Sequence, residues 1–381
     1  MKRVVITGIG ICGASGGRDK TWEAVKNGSS PACRFSRNGH EYIGARIPYN
    51  GGVSLQVILS ESLKEAVSDS GLELRSLKSQ KPLSTISVSK PDFTTYIHSG
   101  SFEKIYNCYG PLKVFEGLGI ECEKQVYSAA CSTGLVSVIN AYKAVKNGVA
   151  GIAFAGAGET PFNPLYYNGF KNMAVLAADT GGSPSGIMKP FSKNRSGFIM
   201  GEGGCVLVLE DMDSALKRGA KIYAEVSAGE TGFDADALYS FKDNTPVISA
   251  LIKKAAEAGR VSADKGVYIH SHGTATRSND IIETKSIKDV FGRMPGCIKV
   301  SSTKPVTGHM LGAAGAAGSA LAALALKEQY LPPTINLEEP DELCDLDYVA
   351  NKGYNWECES ALVISAGFGG HTGVVALKKA V

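Results

Sequence analysis

Between Ser128 and Gly148 the chain reads SAACSTGLVSVINAYKAVKNG. From Cys131 onward, Leu135, Val136, Val138, Ile139, Ala141, Tyr142, Ala144 and Val145 fall around nearly the whole circumference of a helix. A helix with no polar face is central and buried, so only its ends meet solvent. The chain can enclose it: 381 residues, 44% hydrophobic and 20% charged, suffice for one large unit or two closely packed domains and exclude a disordered or fibrous class.

Around this helix, short β-branched runs alternate with helical patterns. VVIT (4–7), GIAFAGAG (151–158), CVLVLE (205–210), KIYAEVSA (221–228), GVYIHSH (266–272), CIKVSST (297–303) and ALVISAG (361–367) read as buried strands. VILSESLKEAVSDSG and VISALIKKAAEAG carry apolar residues at helical spacing and are predicted to stop at left-handed caps on Gly71 and Gly259. The order is α/β. A fresh strand near Lys221 divides the chain into halves of 1–220 and 221–381, with no Pro- or Ser-rich linker, so the halves are expected to pack as one body.

Several function classes fall away on composition. Forty basic against thirty-seven acidic residues give a net charge of +3, without runs of like charge, and this argues against a nucleic acid or anionic membrane as partner. No stretch approaches the ~20 apolar residues of a membrane span, and MKRVVITGIGICG reads as a strand and loop, not a leader. Nine cysteines stand singly with no C-x-x-C pair, the pattern of a reducing cytoplasm.

A thiol in the first turn of the enclosed helix sits at its positive end, near unpaired backbone N–H groups that favour a thiolate. Cys131 is therefore a candidate for covalent catalysis, although by position alone a structural buried cysteine is the commoner case. His272, in YIHSHGTATRSNDIIET, and His309, in SSTKPVTGHMLGAAGAAG, each follow a predicted strand, where functional loops gather. Asn279, Asp280 and Glu283 follow His272, and Lys304 precedes His309 by five residues. Either histidine taken alone reads more readily as a structural one. His270 and His272 suggest a metal pair, but no third ligand stands at a suitable spacing, so no metal is expected. SAGFGGHTG (365–373) lacks dinucleotide-loop spacing and no P-loop motif exists, so no nucleotide cofactor is expected either. The glycines around Phe368 suit a loop whose backbone N–H groups approach a ligand.

Taken in order, VVITGIGICG, SAACSTG, AGAGETPFNPLYYNGFKNM, KPFSKNRSGFIMGEGG, HGTATRSNDIIET, SSTKPVTGHMLGAAGAAG and GFGGHTG resemble the decarboxylating β-ketoacyl synthases that elongate acyl chains on acyl carrier protein. The resemblance implies a thiolase-like fold, two similar halves forming an α-β-α-β-α layered sandwich, and a dimer of two copies or of one copy with a related subunit. It implies Cys131 as the nucleophile that takes the acyl group, His272 and His309 as the pair that polarises the malonyl carbonyl, and Lys304 as their organiser. Glu283 is implied as a supporting acid and Phe368 as a gate whose N–H joins that of Cys131 in an oxyanion hole. Thr274, Thr276 and Gly369 are implied in substrate binding, and Arg195 to Gly203 as a structural motif beneath the site. The reaction implied is condensation of a malonyl-carrier thioester with a Cys-bound acyl group, without metal or cofactor, in fatty acid or polyketide elongation.

Departures from the family pattern bear on specificity. Ser192 stands where Asp is common, Thr372 where Asn is common, and Arg277 where proline is common. Residues 31–57 and 91–125 are shorter and less similar than usual, which points to a specialised enzyme or a heterodimer. A thiolase is disfavoured because the GFGGHTG loop lacks a second cysteine, and an acyl-CoA-primed initiating synthase because His309 replaces its asparagine. A non-condensing chain-length or scaffold subunit is the competing class, and retention of Cys131, His272, His309 and Lys304 argues against it.

Overall fold

The computed structural model describes residues 1–49, 53–73, 77, 82–116, 118–235, 245–292, 294 and 296–380. In the first half these form β1 (Val4–Gly13), α1 (Leu55–Ser70), β2 (Leu83–Ser84), β3 (Glu123–Lys124), α2 (Thr133–Lys146), β4 (Ile152–Glu159) and β5 (Gly203–Asp211). The second half gives β6 (Ala224–Phe233), α3 (Thr245–Gly259), β7 (Val267–His270), α4 (Arg277–Phe291), β8 (Ile298–Ser301), α5 (Ala314–Glu328), β9 (Ser360–Ala366) and β10 (His371–Lys379).

The ten strands make one sheet in the order β8-β7-β9-β10-β6-β1-β5-β4-β2-β3. Read outward from its middle, each half runs first, fifth, fourth, second, third strand, with the same parallel and antiparallel senses. The halves join where β1 pairs antiparallel with β6, Val4 to Ile6 against Val226 to Ala224.

Strand alternation sorts the side chains into layers. On β5, Cys205, Leu207 and Leu209 face the central core, while Val206 and Val208 meet Leu59, Leu63 and Ala66 of α1 outside it. On β9, Ala361 and Val363 face the same central core, while Leu362 and Ile364 meet Ile248, Ile252 and Ala255 of α3. The central core is filled by α2 and α5, so the layers run helix, half-sheet, helix pair, half-sheet, helix pair. This is the α-β-α-β-α thiolase-like sandwich.

The enclosed helix takes the middle position that its sequence demands, against an equally apolar α5 buried from Gly315 to Leu326. The two approach closely through glycine. A Cβ on Gly315 would lie 2.6 Å from Leu135 Cβ and 2.8 Å from its backbone N, and one on Gly134 would lie 2.8 Å from Gly312 O.

Some sequence expectations need correction. Gly71 is the expected left-handed cap (φ +65°), but α3 runs through Gly259, and Arg260 takes the left-handed turn at φ +51°. Gly259 is required for space, since a Cβ there would lie 2.8 Å from Ala376 Cβ and 2.9 Å from Ser227 Oγ. After the glycine turn at 367–370 comes β10, a strand absent from the runs read in the sequence, which pairs along its length with β9 and β6. Thr372, one of the departures, lies buried within that strand. Among the described residues no helix is long and apolar enough to cross a membrane.

Overpacking the central helix pair should be costly. Gly315→Val is expected to destabilise the protein on the order of 3 kcal/mol. Gly169→Ala, where a Cβ meets nothing within 4 Å, should leave stability unchanged or slightly raised. Equal thermal unfolding midpoints for the two variants would contradict the close packing of α2 on α5.

Candidate active site

Cys131 sits in a single 3-10 turn, Ala130–Ser132, that leads into α2, one step ahead of the first-turn position expected from sequence. The turn is entered through Ala130 at φ +47°, a left-handed conformation that costs an alanine about 1 kcal/mol. Ser132 Oγ shares its proton between the carbonyls of Ser365 (2.9 Å) and His371 (3.0 Å), and Ser365 Oγ donates to Cys131 O (3.0 Å). These bonds lash the cysteine turn to the ends of β9 and β10. The loop between those strands lies against it, since a Cβ on Gly367 would be 3.0 Å from Cys131 N.

The thiol is enclosed in a cluster with Phe162, Phe198, Met200, Ala275 and Leu311. Ala275 and Leu311 are immediate neighbours of the two histidine motifs. The turn Leu311–Ala313 leads into α5 as Ala130–Ser132 leads into α2, and the two turns pack together. Leu311 is left-handed as well, at φ +46°.

His272 and His309 stand with ring centroids 5.5 Å apart and planes at 83°. The His309 backbone is fixed by its N–H to Ile199 O and by Gly201 N–H to its carbonyl, both 2.8 Å. Leu311 N–H donates to His309 Nδ1 at 3.2 Å, so the ring proton belongs on Nε2, which becomes a donor. Phe198 meets the His309 ring edge-on at 4.8 Å. His272 follows β7 by two residues, and its Nδ1 is buried without a partner among the described residues. Such a nitrogen is costly unless something binds there.

Lys304 Nζ donates to His272 O, and the Glu283 carboxylate accepts the N–H groups of His272 (2.5 Å) and Gly273 (2.8 Å). The pair thereby grips the His272 backbone from both sides. Burial pushes Glu283 up and Lys304 down. Burial, reinforced by the Lys304 charge, holds both imidazoles well below 6.5, so both are neutral at physiological pH. Burial also pushes the Cys131 thiol up to about 11, against the opposing pull of Lys90 and Lys304.

The other sequence candidates take distinct places. Phe368 is half-buried with its ring 6.4 Å from that of Phe170, and Gly369 beside it is left-handed at φ +78°. Thr274 and Thr276 bond each other through their hydroxyls at 2.9 Å. Arg195 is fully buried beneath the site, donating to the carbonyls of Ser192 (2.8 Å), Thr276 (3.3 Å) and Arg277 (3.0 Å) and pairing with Asp341 (2.6 Å). His270 bonds Thr303 Oγ1 at 3.0 Å within the core and does not join His272 in a ligand pair. Sequence motifs did not join Lys90 to Glu159, which pair at 3.2 Å, because the two lie 69 positions apart and Lys90 falls outside every motif.

The N-terminal domain model of the β-ketoacyl synthases matches residues 53–215 and their C-terminal domain model matches residues 223–338. The 3-oxoacyl-[acyl-carrier-protein] synthase 2 of Coxiella burnetii is 31% identical, the alignment covering 99% of each chain. That of Synechocystis sp. is 38% identical over 69% of this chain, a stretch spanning 63% of the relative's own length. The ketoacyl synthase alpha subunit of the tetracenomycin polyketide synthase of Streptomyces glaucescens is 29% identical over 99% of this chain and 97% of its own. A type II polyketide ketosynthase, AntDE, solved with its acyl carrier protein AntF, superposes over all of both chains with a TM-score of 0.90 at 26% identity. The ishigamide ketosynthase/chain length factor does so at 0.88 and 26%.

Neutral imidazoles in fixed tautomers can be observed directly. Long-range ¹H–¹⁵N spectra should show His309 as the Nε2–H tautomer, with neither His272 nor His309 titrating as pH falls from 8 through 6.5. A protonation midpoint near 6.5 for either ring would contradict the enclosed, Lys304-flanked setting.

Proposed function

Because the chain belongs to the β-ketoacyl synthase family, we propose that it catalyses decarboxylative Claisen condensation of a malonyl-carrier thioester with an acyl group on Cys131. This is the elongation step of fatty acid or polyketide assembly. The observation that carries the reading is the pair of neutral imidazoles 5.5 Å apart beside an enclosed cysteine. Enolate chemistry calls for that arrangement, because charge develops on an oxygen that fixed donors must meet without water.

The reaction proceeds in two stages. Cys131 Sγ attacks an acyl thioester; the thiol proton leaves with the carrier thiolate, and the acyl group remains on sulphur. A high thiol pKa in the resting site means the proton must move as attack occurs, passing to the carrier sulphur that leaves. The malonyl thioester then binds with its carbonyl oxygen towards His309 Nε2–H and the His272 ring. Its C–C bond to the carboxylate breaks, CO2 leaves, and the electron pair becomes an enolate held by the two rings. The enolate carbon attacks the acyl carbonyl, whose oxygen turns towards the backbone N–H groups of Cys131 and Phe368, and Cys131 thiolate departs. Lys304 and Glu283 hold the backbone of His272, and the positive Lys304 keeps both rings unprotonated through the cycle. Thr274, Thr276 and Gly369 line the approach of the carrier-bound substrate.

In this reading residues 1–220 contribute the nucleophile and residues 221–381 the histidines. The partners are an acyl carrier protein bearing acyl and malonyl groups, and a second subunit, identical or related; the location is the cytoplasm. Relatives solved with a carrier protein and with a chain length factor support both partners.

Intact mass after incubation with an acyl thioester should show a single adduct, absent from Cys131→Ala. A folded wild type without an adduct would favour a scaffold subunit instead. Cys131→Gln, whose amide mimics the acylated state, should abolish condensation yet continue malonyl decarboxylation, read as CO2 release. Adding His309→Ala to that variant should slow decarboxylation by about 10²- to 10³-fold, and normal release would remove the histidines from the mechanism.

A further inference from the structure

We propose that Lys90 determines acyl specificity, its ammonium donating a hydrogen bond to a chain that carries carbonyl oxygens near the thioester, so that 3-oxoacyl groups are preferred to saturated ones. This deepens the function proposed above and rests on it.

Lys90 is held at the active site by contacts from three sides. Its Nζ donates to Ser89 Oγ at 2.7 Å and pairs with Glu159 at 3.2 Å. Above it lie the rings of Tyr166 and Phe170, with centroids at 5.7 and 5.6 Å. Phe170 in turn touches Phe368 at 6.4 Å and Phe198 at 5.8 Å, and Phe198 stands on His309. The ammonium is thus one ring away from Phe368 and two from His309.

Its carboxylate partner reaches the nucleophile by a second route. Glu159 is buried at the end of β4, accepts Ser89 N–H at 2.8 Å, and lies so near Gly312 that a Cβ there would be 2.4 Å from its Oε1. Gly312 belongs to the turn that packs on Cys131. The Lys90 charge accordingly acts on both Cys131 and His309.

The pair does not exhaust the ammonium. It has three N–H donors, and Ser89 and Glu159 take two. Glu159 is sealed at 3% side-chain exposure, whereas Lys90 keeps 21%, so its side chain has an open side. A methylene chain laid against that side would strip water from a cation and return nothing. A chain with a carbonyl at the same place would replace the water with a charge-assisted hydrogen bond.

The test is a competition for Cys131 read by intact mass, with a 3-oxobutanoyl and an octanoyl thioester of the same carrier offered together. Wild type and Lys90→Arg should load the 3-oxoacyl group preferentially. Lys90→Met should move the loading ratio towards octanoyl by about 10- to 100-fold, the worth of one hydrogen bond to a charged group. Lys90→Met/Glu159→Gln removes both charges, guards against misfolding from an uncompensated carboxylate, and should show the same shift. An unchanged ratio in a folded variant overturns the assignment while leaving the condensing function standing. Failure of wild type to load either group overturns both.

Discussion

Everything in the site depends on the close packing of α2 against α5. Both helices are apolar on nearly all sides, and glycines at 134 and 315 let their backbones approach where any side chain would collide. Each helix is preceded by a 3-10 turn entered through a left-handed residue, Ala130 in one and Leu311 in the other. Packing the helices therefore packs the turns, and the turns carry Cys131 and the Nδ1 partner of His309. The turns at 130–132 and 311–313, far apart in the chain, pack together because two helices share one core.

The same burial sets the electrostatics. Enclosed imidazoles resist protonation, and the neighbouring Lys304 charge raises their resistance further. A neutral ring with its tautomer fixed is a donor that does not give its proton away, which suits an oxygen acquiring charge. Lys304 is itself buried, and it is stabilised by Glu283 and by the His272 carbonyl that it binds. The arrangement is a polar network inside an apolar shell, expensive to assemble and rigid once every partner is in place. The unpartnered Nδ1 of His272 is the exception, and exceptions of this kind gather where a ligand completes the network.

The duplicated sheet explains why the network falls between the halves. Each half repeats one strand order, and each sends one central helix inward. The cysteine enters on the helix of the first half, and the histidines enter on loops of the second. Aromatic rings from the 164–172 helix and the 198–200 segment then close the apolar side of the site through Phe170 and Phe198.

Much of this was legible in the chain. Short β-branched runs marked seven of the ten strands of the large sheet, the lack of a polar face placed the 133–146 helix at the centre, and an ordered set of motifs singled out Cys131, His272, His309 and Lys304. Local rules erred where tertiary space decided: Gly259 is a matter of contact with Ala376, not of backbone handedness, and β10, which pairs with the adjacent β9 and with the distant β6, was not among the runs read as strands. Sequence spacing likewise gave no sign that Lys90 meets Glu159, nor that Glu159 abuts the turn after His309. What the sequence determined by itself is which segments are apolar, with what period, and which residues carry reactive groups, since these follow from side-chain chemistry and covalent order. Which of those groups share a pocket, which are neutral, and which donor points inward were decided only by the tertiary structure, because distance, burial and hydrogen-bond geometry belong to the packed chain.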